Sequence, residues 1–316
     1  MHIAILDDYQ RVALQSADWT TIQRRGDIVV FADHVSDEDE LVSRLRTFDV
    51  VVAMRERTSF PAQVLDRLPD LRLLATTHMK NAAIDVEGAQ RNGVVVCGTG
   101  YIEAAAPELA WALLMALVRH IPAEDAAVRA GGWQHTVGVT LAGRTLGLLG
   151  LGRIGQAMAG FARAFGMNVI AWSPNLTSAR AVAGGAQCVT KEDLFRNSDI
   201  VSIHIVSSRR TRHIVGENEL ELLGPSGYLV NTSRGPIVEE AALIRALREN
   251  TIAGAGLDVF DIEPLPAGHP LRTLPNTVLT PHIGYGTREM YEIFYRDTVE
   301  NINAWADGHP IRVMTA

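Results

Sequence analysis

The chain has 316 residues, which exceeds the size at which a single hydrophobic core stops growing, so we expect two packed domains. Its content of 47% hydrophobic and 21% charged residues is that of a globular protein and excludes disordered, collagen-like and coiled-coil classes. A formal net charge of -7 lacks the basic character that nucleic-acid binding needs.

Short apolar runs alternate with helix-like stretches through the first hundred residues. Segments such as Asp37–Leu45 and Pro61–Leu68 are typical of helices, and Ser36 followed by Asp39 resembles a capping box. The runs between them predict buried strands at His2–Leu6, Ile28–Phe31, Val50–Val52, Leu71–Ala75 and Val94–Cys97. This alternation favours a parallel sheet flanked by helices.

A second α/β unit follows an apolar helix predicted over Glu103–Arg119, which leads into a turn at Gly131–Gly132. The strands predicted in this unit are Thr145–Leu149, Asn168–Trp172, Ile200–Ile205, Tyr228–Asn231, Gly254–Asp258 and Val278–Leu279. We therefore expect an α/β fold of two domains, each with a parallel sheet flanked by helices.

The pattern changes after Gly286 to one long amphipathic helix. Its apolar face is predicted to contain Tyr291, Phe294, Tyr295, Thr298, Ile302 and Trp305, with Glu292, Arg296 and Asp297 elsewhere. Because no strand follows, we expect this helix to pack back onto one of the two sheets.

The cysteine and hydropathy patterns predict where in the cell the protein is found. Cys97 and Cys188 are too few for a disulfide framework and lack the clustered spacing of a metal site. The longest apolar run, Leu109 to Val118, is shorter than the roughly 20 residues of a membrane span, and Asp7 interrupts any secretory signal. We expect a cytoplasmic protein with no membrane, nucleic-acid or metal partner.

A glycine-rich turn after the strand Thr145–Leu149 carries the strongest motif. Gly150, Gly152 and Gly155 form G-x-G-x-x-G between a strand and a helix. In this setting the glycines permit a tight turn and close approach of a pyrophosphate, which the helix N-terminus attracts. The motif predicts dinucleotide binding, whereas the alternative is a plain tight turn.

The end of the next strand bears on which nicotinamide cofactor binds. An acidic residue there would hydrogen-bond the ribose 2′-hydroxyl of NAD, but the sequence has Ser173 followed by Pro174 and Asn175. Its absence removes a charge that would repel a 2′-phosphate, although Ser173 or Asn175 could still bind a hydroxyl. The nearest arginine, Arg180, lies seven positions on, so NAD is expected with NADP as the open alternative.

Three polar residues follow strands of the second sheet, where ligands bind in open parallel sheets. Arg234, Glu263 and His282 are predicted to meet at this edge. Histidine titrates near neutral pH, so His282 could exchange the proton that a carbonyl and an alcohol exchange. Glu263 would orient the imidazole, and the Arg234 guanidinium would bind a carboxylate. Taken singly, each residue could instead be an ordinary surface group.

These motifs resemble the D-isomer-specific 2-hydroxyacid dehydrogenase family, which includes phosphoglycerate dehydrogenase and glyoxylate/hydroxypyruvate reductases. The resemblance spans nearly the whole chain and is carried by four segments: Gly150–Gly155, Asn231–Gly235, Gly256–Pro264 and Pro281–Gly284. It implies reversible reduction of a small 2-oxo acid to a D-2-hydroxy acid.

The resemblance also implies roles and a domain plan. Arg234 would bind the 2-oxo acid, His282 would be the acid and base, and Glu263 its partner. Arg153 and Ile154 would lie along the pyrophosphate, Thr232 by the cofactor, and Asp258 at the nicotinamide carboxamide. Residues 1–100 plus 287–316 would form a flavodoxin-like substrate domain, and 101–286 a Rossmann nucleotide domain. The family further implies a homodimer held by the nucleotide domain, and closure of the domains over substrate.

The substrate domain of such proteins offers N–H groups to the substrate carboxylate from a loop corresponding to Thr76–Asn81. His78 stands there where glycine is common, beside Met79, and histidine adopts positive φ less easily than glycine. The resemblance implies substrate contacts by His78, Met79 and Arg55, although Arg55 beside Glu56 could equally be a solvated side chain.

Two other functions compete with the dehydrogenase hypothesis. A nicotinamide-sensing module similar to the C-terminal-binding-protein corepressors would bind cofactor tightly with negligible turnover. An enzyme resembling formate dehydrogenase would pair the histidine with glutamine, whereas residue 263 is glutamate.

Overall fold

The computed structural model describes residues 1–315, and these form two compact units. One unit contains Met1–Ile102 and the segment from Gly286 onward, and the other contains Glu103–Tyr285. We call them unit 1 and unit 2.

Both units are built on parallel sheets. The strands of unit 1 are β1 His2–Ile5, β2 Asp27–Val30, β3 Val50–Ala53, β4 Leu73–Thr76 and β5 Val95–Cys97, in the order β2-β1-β3-β4-β5. Those of unit 2 are β6 Thr145–Leu149, β7 Asn168–Trp172, β8 Gln187–Cys188, β9 Ile200–Ile203, β10 Tyr228–Asn231, β11 Gly254–Leu257 and β12 Thr277–Leu279, in the order β12-β11-β10-β9-β6-β7-β8. The α/β class and the two parallel sheets predicted from the sequence are confirmed.

The helices connect the strands of each sheet. They are α1 Thr20–Gln23, α2 Glu38–Leu45, α3 Ala62–Leu65, α4 Val86–Arg91, α5 Ala105–Val118, α6 Ile121–Arg129, α7 Arg153–Ala164, α8 Ser178–Ala183, α9 Lys191–Arg196, α10 Glu217–Leu223, α11 Glu240–Arg248 and α12 Arg288–Ala306. Two elements were not predicted from the sequence: α6, which buries no residue, and the two-residue strand β8.

The strands of unit 2 contribute to two apolar cores because neighbouring residues of a strand point to opposite faces of the sheet. Leu149 and Val201 belong to one core cluster, and the adjacent Leu148 and Ile200 belong to the other. Both faces are therefore covered, as the uninterrupted apolar runs indicate. A sheet covered in this way leaves its strand ends as the places where polar groups collect.

Two sequence predictions in unit 1 need correction. The first residue of the predicted capping box was wrong by one position, because Asp37 caps α2 by accepting the N–H of Glu40 at 2.9 Å. Asp297 of α12, predicted to lie off the apolar face, is buried with that face, since its carboxylate accepts the N–H of Gly100 at 2.8 Å and pairs with two arginines. The predicted apolar face of α12 is otherwise buried, except that Trp305 is only partly so, and α12 packs against β4.

Two further features of residues 1–315 concern membranes and metals. None of their helices combines the length and apolar character that a bilayer crossing needs. Within the same residues, no three or more histidine, cysteine, aspartate or glutamate side chains are grouped to hold a metal ion.

Candidate active site

The glycine-rich turn joins β6 to α7 and depends on glycine at two positions. Gly150 has a φ of 104°, and a Cβ there would lie 2.6 Å from the carbonyl oxygen of His204. A Cβ on Gly155 would lie 2.3 Å from the carbonyl oxygen of Gly150. Neither distance leaves room for a side chain, so the tight turn requires these glycines.

Gly152 has open space where its side chain would be, because no other atom lies within 4 Å of a Cβ built there. It is the N-cap of α7 and provides no side-chain acceptor, so the first N–H groups of this helix need an outside partner. Next to it, Arg153 pairs with Glu103 and Ile154 packs against the apolar core. The open space and the uncapped helix fit the pyrophosphate of a nicotinamide dinucleotide.

Ser173 lies beside this turn, directly after β7. The N–H of Gly150 donates to the carbonyl oxygen of Trp172 at 2.8 Å, which ties the turn to the end of β7. From Ser173 to Thr190 the chain contains no aspartate or glutamate. The end of β7 therefore has no carboxylate of its own.

The loop after β10 is shaped by a buried asparagine. Asn231 donates through Nδ2 to the carbonyl oxygen of Arg234 at 3.0 Å and accepts the N–H of Ser233 through Oδ1 at 3.0 Å. The Ser233 hydroxyl donates to the carbonyl oxygen of Ile203 on β9 at 2.8 Å. These bonds fix the backbone that carries Thr232 and Arg234.

Glu263 and His282 are brought together, although they are far apart in the sequence. Nδ1 of His282 lies 2.5 Å from Oε2 of Glu263, while Oε1 of Glu263 accepts the N–H of Phe260 at 2.9 Å. The carboxylate is thus anchored on one side by backbone and presents its other oxygen to the imidazole. With Nδ1 engaged in this way, Nε2 is the ring nitrogen left to meet a substrate.

Asp258 holds the loop that carries His282. Its buried carboxylate accepts the hydroxyl of Thr280 at 2.7 Å and the N–H groups of Ile283 and Gly284 at 2.8 and 2.9 Å. Burial raises the pKa of Asp258, whereas these hydrogen bonds and the nearby His282 charge act in the opposite direction. The carboxylate therefore constrains both flanks of His282.

The loops that carry Arg234 and Glu263 are packed on each other. A Cβ on Gly235 would lie 2.1 Å from the carbonyl carbon of Phe260, so the two backbones touch at this glycine. Phe260 is also the residue whose N–H anchors Glu263. The sequence neighbours of Arg234 and Glu263 are consequently in direct contact.

Arg55 follows β3 of unit 1 and adopts a positive φ of 53°. Its N–H donates to the Thr77 hydroxyl at 2.9 Å, and its guanidinium carbon lies 5.5 Å from the centroid of the Tyr101 ring. It also forms an ion pair with Glu56 at 3.5 Å. The side chain is thus ordered against protein groups and is not simply solvated.

His78 follows β4 and takes the positive φ that glycine would favour, at 80°. Its N–H donates to the Thr99 hydroxyl at 2.8 Å, its Nδ1 lies 3.2 Å from the backbone nitrogen of Lys80, and its ring packs edge-on against Tyr101 at 4.8 Å. Burial, and then the charge of Arg55, lower the pKa of His78. The histidine therefore preserves the expected backbone conformation and adds a largely neutral imidazole.

Met79 is exposed at the tip of the same loop. A Cβ on Gly98 would lie 2.7 Å from its Sδ, so this side chain rests on the end of β5. Two N–H groups of the loop, those of His78 and Lys80, already contact acceptors within unit 1. These two N–H groups are therefore already used within unit 1.

Three further residues support the site but were not singled out from the sequence. Asn231 and Thr280 could have been noticed as polar residues at the ends of strands. His204 follows β9, where its Nε2 contacts the Ser202 hydroxyl at 2.8 Å and burial lowers its pKa to about 3. No sequence pattern distinguishes this neutral, partly buried histidine from a catalytic one.

Comparison with known proteins gives consistent matches. The family model described as D-isomer specific 2-hydroxyacid dehydrogenase, NAD binding domain, matches residues 111–284. Glyoxylate reductase of Thermococcus litoralis is 39% identical over 278 residues, which cover 85% of this chain and 83% of that protein. D-3-phosphoglycerate dehydrogenase of Methanocaldococcus jannaschii is 35% identical over 256 residues, or 80% of this chain and 48% of that protein.

A solved structure extends this similarity over the fold. The crystal structure of phosphoglycerate oxidoreductase from Vibrio cholerae O395 has a TM-score of 0.91 and 38% identity to this chain. The match covers 98% of this chain and 99% of that one. The similarity therefore includes both units and is not confined to the nucleotide-binding motif.

Proposed function

This chain belongs to the D-isomer specific 2-hydroxyacid dehydrogenase family, and we propose that it interconverts a small 2-oxo acid and its D-2-hydroxy acid with His282 as acid and base. The protein is an NAD(P)-dependent oxidoreductase. The observation that carries the proposed mechanism is the hydrogen bond between Glu263 and His282, anchored by the backbone of Phe260.

His282 exchanges the proton that the oxygen of the substrate gains or loses in the reaction. Reduction of a ketone adds two electrons and a proton at carbon, which a bound nicotinamide supplies as hydride, and a second proton at oxygen. Nε2 of His282 donates that second proton, and in the reverse direction it takes the proton from the hydroxyl. Glu263 holds Nδ1 and so keeps Nε2 as the exchanging atom, while its charge stabilises the imidazolium.

Arg234 supplies the positive charge for the substrate. A guanidinium binds a carboxylate through two parallel hydrogen bonds and draws electron density from an adjacent carbonyl. The packing of Gly235 on Phe260 supports this role, because it keeps the arginine loop against the loop that carries Glu263. Thr232 and Asp258 are proposed to contact the cofactor from the same edge of the sheet.

The substrate side of unit 1 is proposed to consist of Arg55, His78 and Met79. The first two are ordered on the ring of Tyr101, at the ends of neighbouring strands. A guanidinium and an imidazole placed this way suit an oxygen-rich, anionic ligand. Glyoxylate and hydroxypyruvate are the first substrates to test, because relatives of this chain are named glyoxylate reductase.

A homodimer is proposed from an apolar surface of unit 2. The side chains of Ile121, Val128, Trp133 and Val137 are exposed, with Trp133 at 74% and Val137 at 93% exposure. Aromatic and apolar side chains clustered along one exposed segment are typical of an interface, and we assign this one to a second copy of the chain. Light scattering should give twice the chain mass for the wild type and a monomer for Trp133→Glu.

The enzymatic proposal is tested by following the absorbance of NADH or NADPH with glyoxylate, hydroxypyruvate, pyruvate and longer 2-oxo acids. We expect oxidation of the cofactor with at least one small 2-oxo acid, and formation of the D-2-hydroxy acid wherever the product has a stereocentre at C2. Tight cofactor binding without turnover of any of them would overturn the proposal and favour a nicotinamide-sensing module.

A further inference from the structure

We propose that Asp7 is a positioning residue for substrate binding, which acts by holding the turn that carries Arg55. We call residues 54–58, which follow β3, the arginine turn. Asp7 is itself buried, at 1% exposure, so it acts through its neighbours. The inference rests on the proposed contact of Arg55 with the substrate.

The arginine turn is a tight reversal of the chain. The N–H of Arg57 donates to the carbonyl oxygen of Met54 at 3.2 Å, and Arg55 between them has a φ of 53°. An arginine in this left-handed region is unfavourable by itself and persists only where the surrounding structure holds it. The direction of the Arg55 side chain therefore depends on the bonds that fix the two ends of the turn.

The beginning of the arginine turn is fixed by residues that follow or end β4. The N–H of Arg55 donates to the Thr77 hydroxyl at 2.9 Å. Nδ2 of Asn81 donates to the carbonyl oxygen of Arg55 at 2.6 Å and to the Thr76 hydroxyl at 2.8 Å. These bonds join the arginine turn to the loop that carries His78.

The end of the arginine turn is fixed by Asp7, which follows β1. Oδ2 of Asp7 accepts the Thr58 hydroxyl at 2.7 Å, and the carbonyl oxygen of Asp7 accepts Nη1 of Arg57 at 2.7 Å. Its other carboxylate oxygen, Oδ1, lies 2.9 Å from Nδ1 of His34, which follows β2. One residue thus holds the last two residues of the turn, through its side chain and its backbone.

The position of Asp7 in the sheet explains why its contacts reach the arginine turn. Strand β1 pairs with β2 on one side and with β3 on the other, so Asp7 lies at the switch point of the sheet, where open α/β sheets have a crevice. Here the crevice is filled by protein groups, since Thr58 is only 3% exposed. Removing one donor would leave a buried carboxylate incompletely hydrogen-bonded, and the turn would have to move to satisfy it.

Binding of oxalate tests the inference without requiring turnover. Oxalate has a carboxylate next to a second planar carbon–oxygen group, as a 2-oxo acid does, but nicotinamide does not reduce it. The measurement is calorimetry on the full-length protein saturated with NADH or NADPH. Thr58→Val removes the hydroxyl that Asp7 accepts and keeps the branched shape, and we expect it to weaken oxalate binding by about tenfold.

Three further variants separate positioning from a general loosening of unit 1. Thr58→Ser keeps the hydroxyl and should bind oxalate as the wild type does, whereas Asp7→Asn should weaken binding by about tenfold. Asp49→Asn makes the same substitution at the amino ends of β1 and β3, where Asp49 accepts the N–H of His2 at 2.7 Å. This control should leave oxalate affinity unchanged.

A double variant shows whether the effect passes through Arg55. Arg55→Ala should weaken oxalate at least as much as Thr58→Val does, and Thr58→Val should have no further effect in that background. Additive losses, or an Arg55→Ala protein with unchanged oxalate affinity, would overturn the inference. Equal losses for Thr58→Ser and Thr58→Val would do the same, because the hydroxyl would then not be the group that matters.

Kinetics separate this inference from the proposed reaction. With an oxo acid that is reduced, Thr58→Val should raise KM by about tenfold and change kcat by less than about threefold. A protein whose variants bind oxalate as expected but which reduces no oxo acid would contradict the proposed reaction and leave the inference supported. Unchanged oxalate affinity in both Thr58→Val and Asp7→Asn would overturn the inference and leave the reaction intact.

Discussion

The carboxyl ends of the two sheets present their functional side chains in different ways. In unit 2, Glu263 and His282 bond to each other, and backbone groups anchor both flanks through Phe260 and Asp258. In unit 1, Arg55 and His78 both lie against the ring of Tyr101 and adopt positive φ angles. We propose that the first arrangement selects one ring nitrogen for proton exchange and that the second contributes to substrate recognition.

The largest expected effect comes from removing the imidazole of unit 2. His282→Ala should lower kcat by about 10³-fold, because general acid–base catalysis contributes roughly 10² to 10⁴. The dissociation constant of the cofactor should stay unchanged, and His309→Ala, which removes an exposed histidine of unit 1, should retain full activity. A His282→Ala enzyme with unchanged kcat would remove this residue from the mechanism.

Removing the charge of Glu263, which lies beside His282, should lower kcat less than removing the imidazole. Glu263→Gln keeps a group of the same shape on Nδ1 but loses the charge that stabilises the imidazolium, so kcat should fall by about 10²-fold. Steady-state kinetics should locate the loss in kcat, with KM for the oxo acid little changed. A loss confined to KM would instead assign Glu263 to substrate binding.

His204, a partly buried histidine beside the glycine turn, predicts a pH dependence of stability. Burial lowers the pKa of His204 to about 3 in the native state. As the pH falls below about 6.5, the unfolded chain therefore binds a proton at this histidine, whereas the native state does not. Because of His204, the free energy of unfolding should therefore fall by about 2 kcal/mol between pH 7 and pH 5. The loss continues towards pH 3.

Urea unfolding midpoints of the wild type and His204→Gln at both pH values measure this effect. Glutamine can still reach the Ser202 hydroxyl but does not titrate, so the variant should lose less stability on acidification. Identical pH dependence in the two proteins would show that His204 is accessible to protons in the native state.

A smaller effect of the same sign is expected from His78 in unit 1. Burial and the Arg55 charge lower its pKa, so stability contributed by the neutral ring is lost as the pH falls below about 6.5. His78→Asn, which also tolerates positive φ, should reduce this loss. High salt should shrink the difference for His78, because it screens Arg55, but not for His204, whose shift arises from burial.

Much of the fold could be predicted because the strands are buried on both faces. Continuous apolar runs mark β3, β4 and β9, and a glycine motif between a strand and a helix marks the nucleotide turn. Prediction failed where the elements bury little: α6 has no buried residue, and β8 is only two residues long. Apolar periodicity reports burial, so elements without burial leave no pattern.

The candidate site also contains features that could be predicted from the sequence and features that could not. Arg234, Glu263 and His282 could be named in advance, because polar residues that follow parallel strands collect at one edge. The anchoring of Glu263 by Phe260, and of the His282 loop by Asp258, could not, because these bonds join residues that no local pattern relates. Asp297 was misplaced for the same reason, since its hydrogen bond with distant Gly100 allows a carboxylate to be buried.

The sequence by itself determined the fold class, the nucleotide turn and the chemical types of the groups at the strand ends, since these depend on local periodicity and residue chemistry. Tertiary structure alone decided which of those groups are hydrogen-bonded and which are buried. Hydrogen bonding and burial depend on atoms brought close by folding, and their distance along the chain carries no record of that proximity.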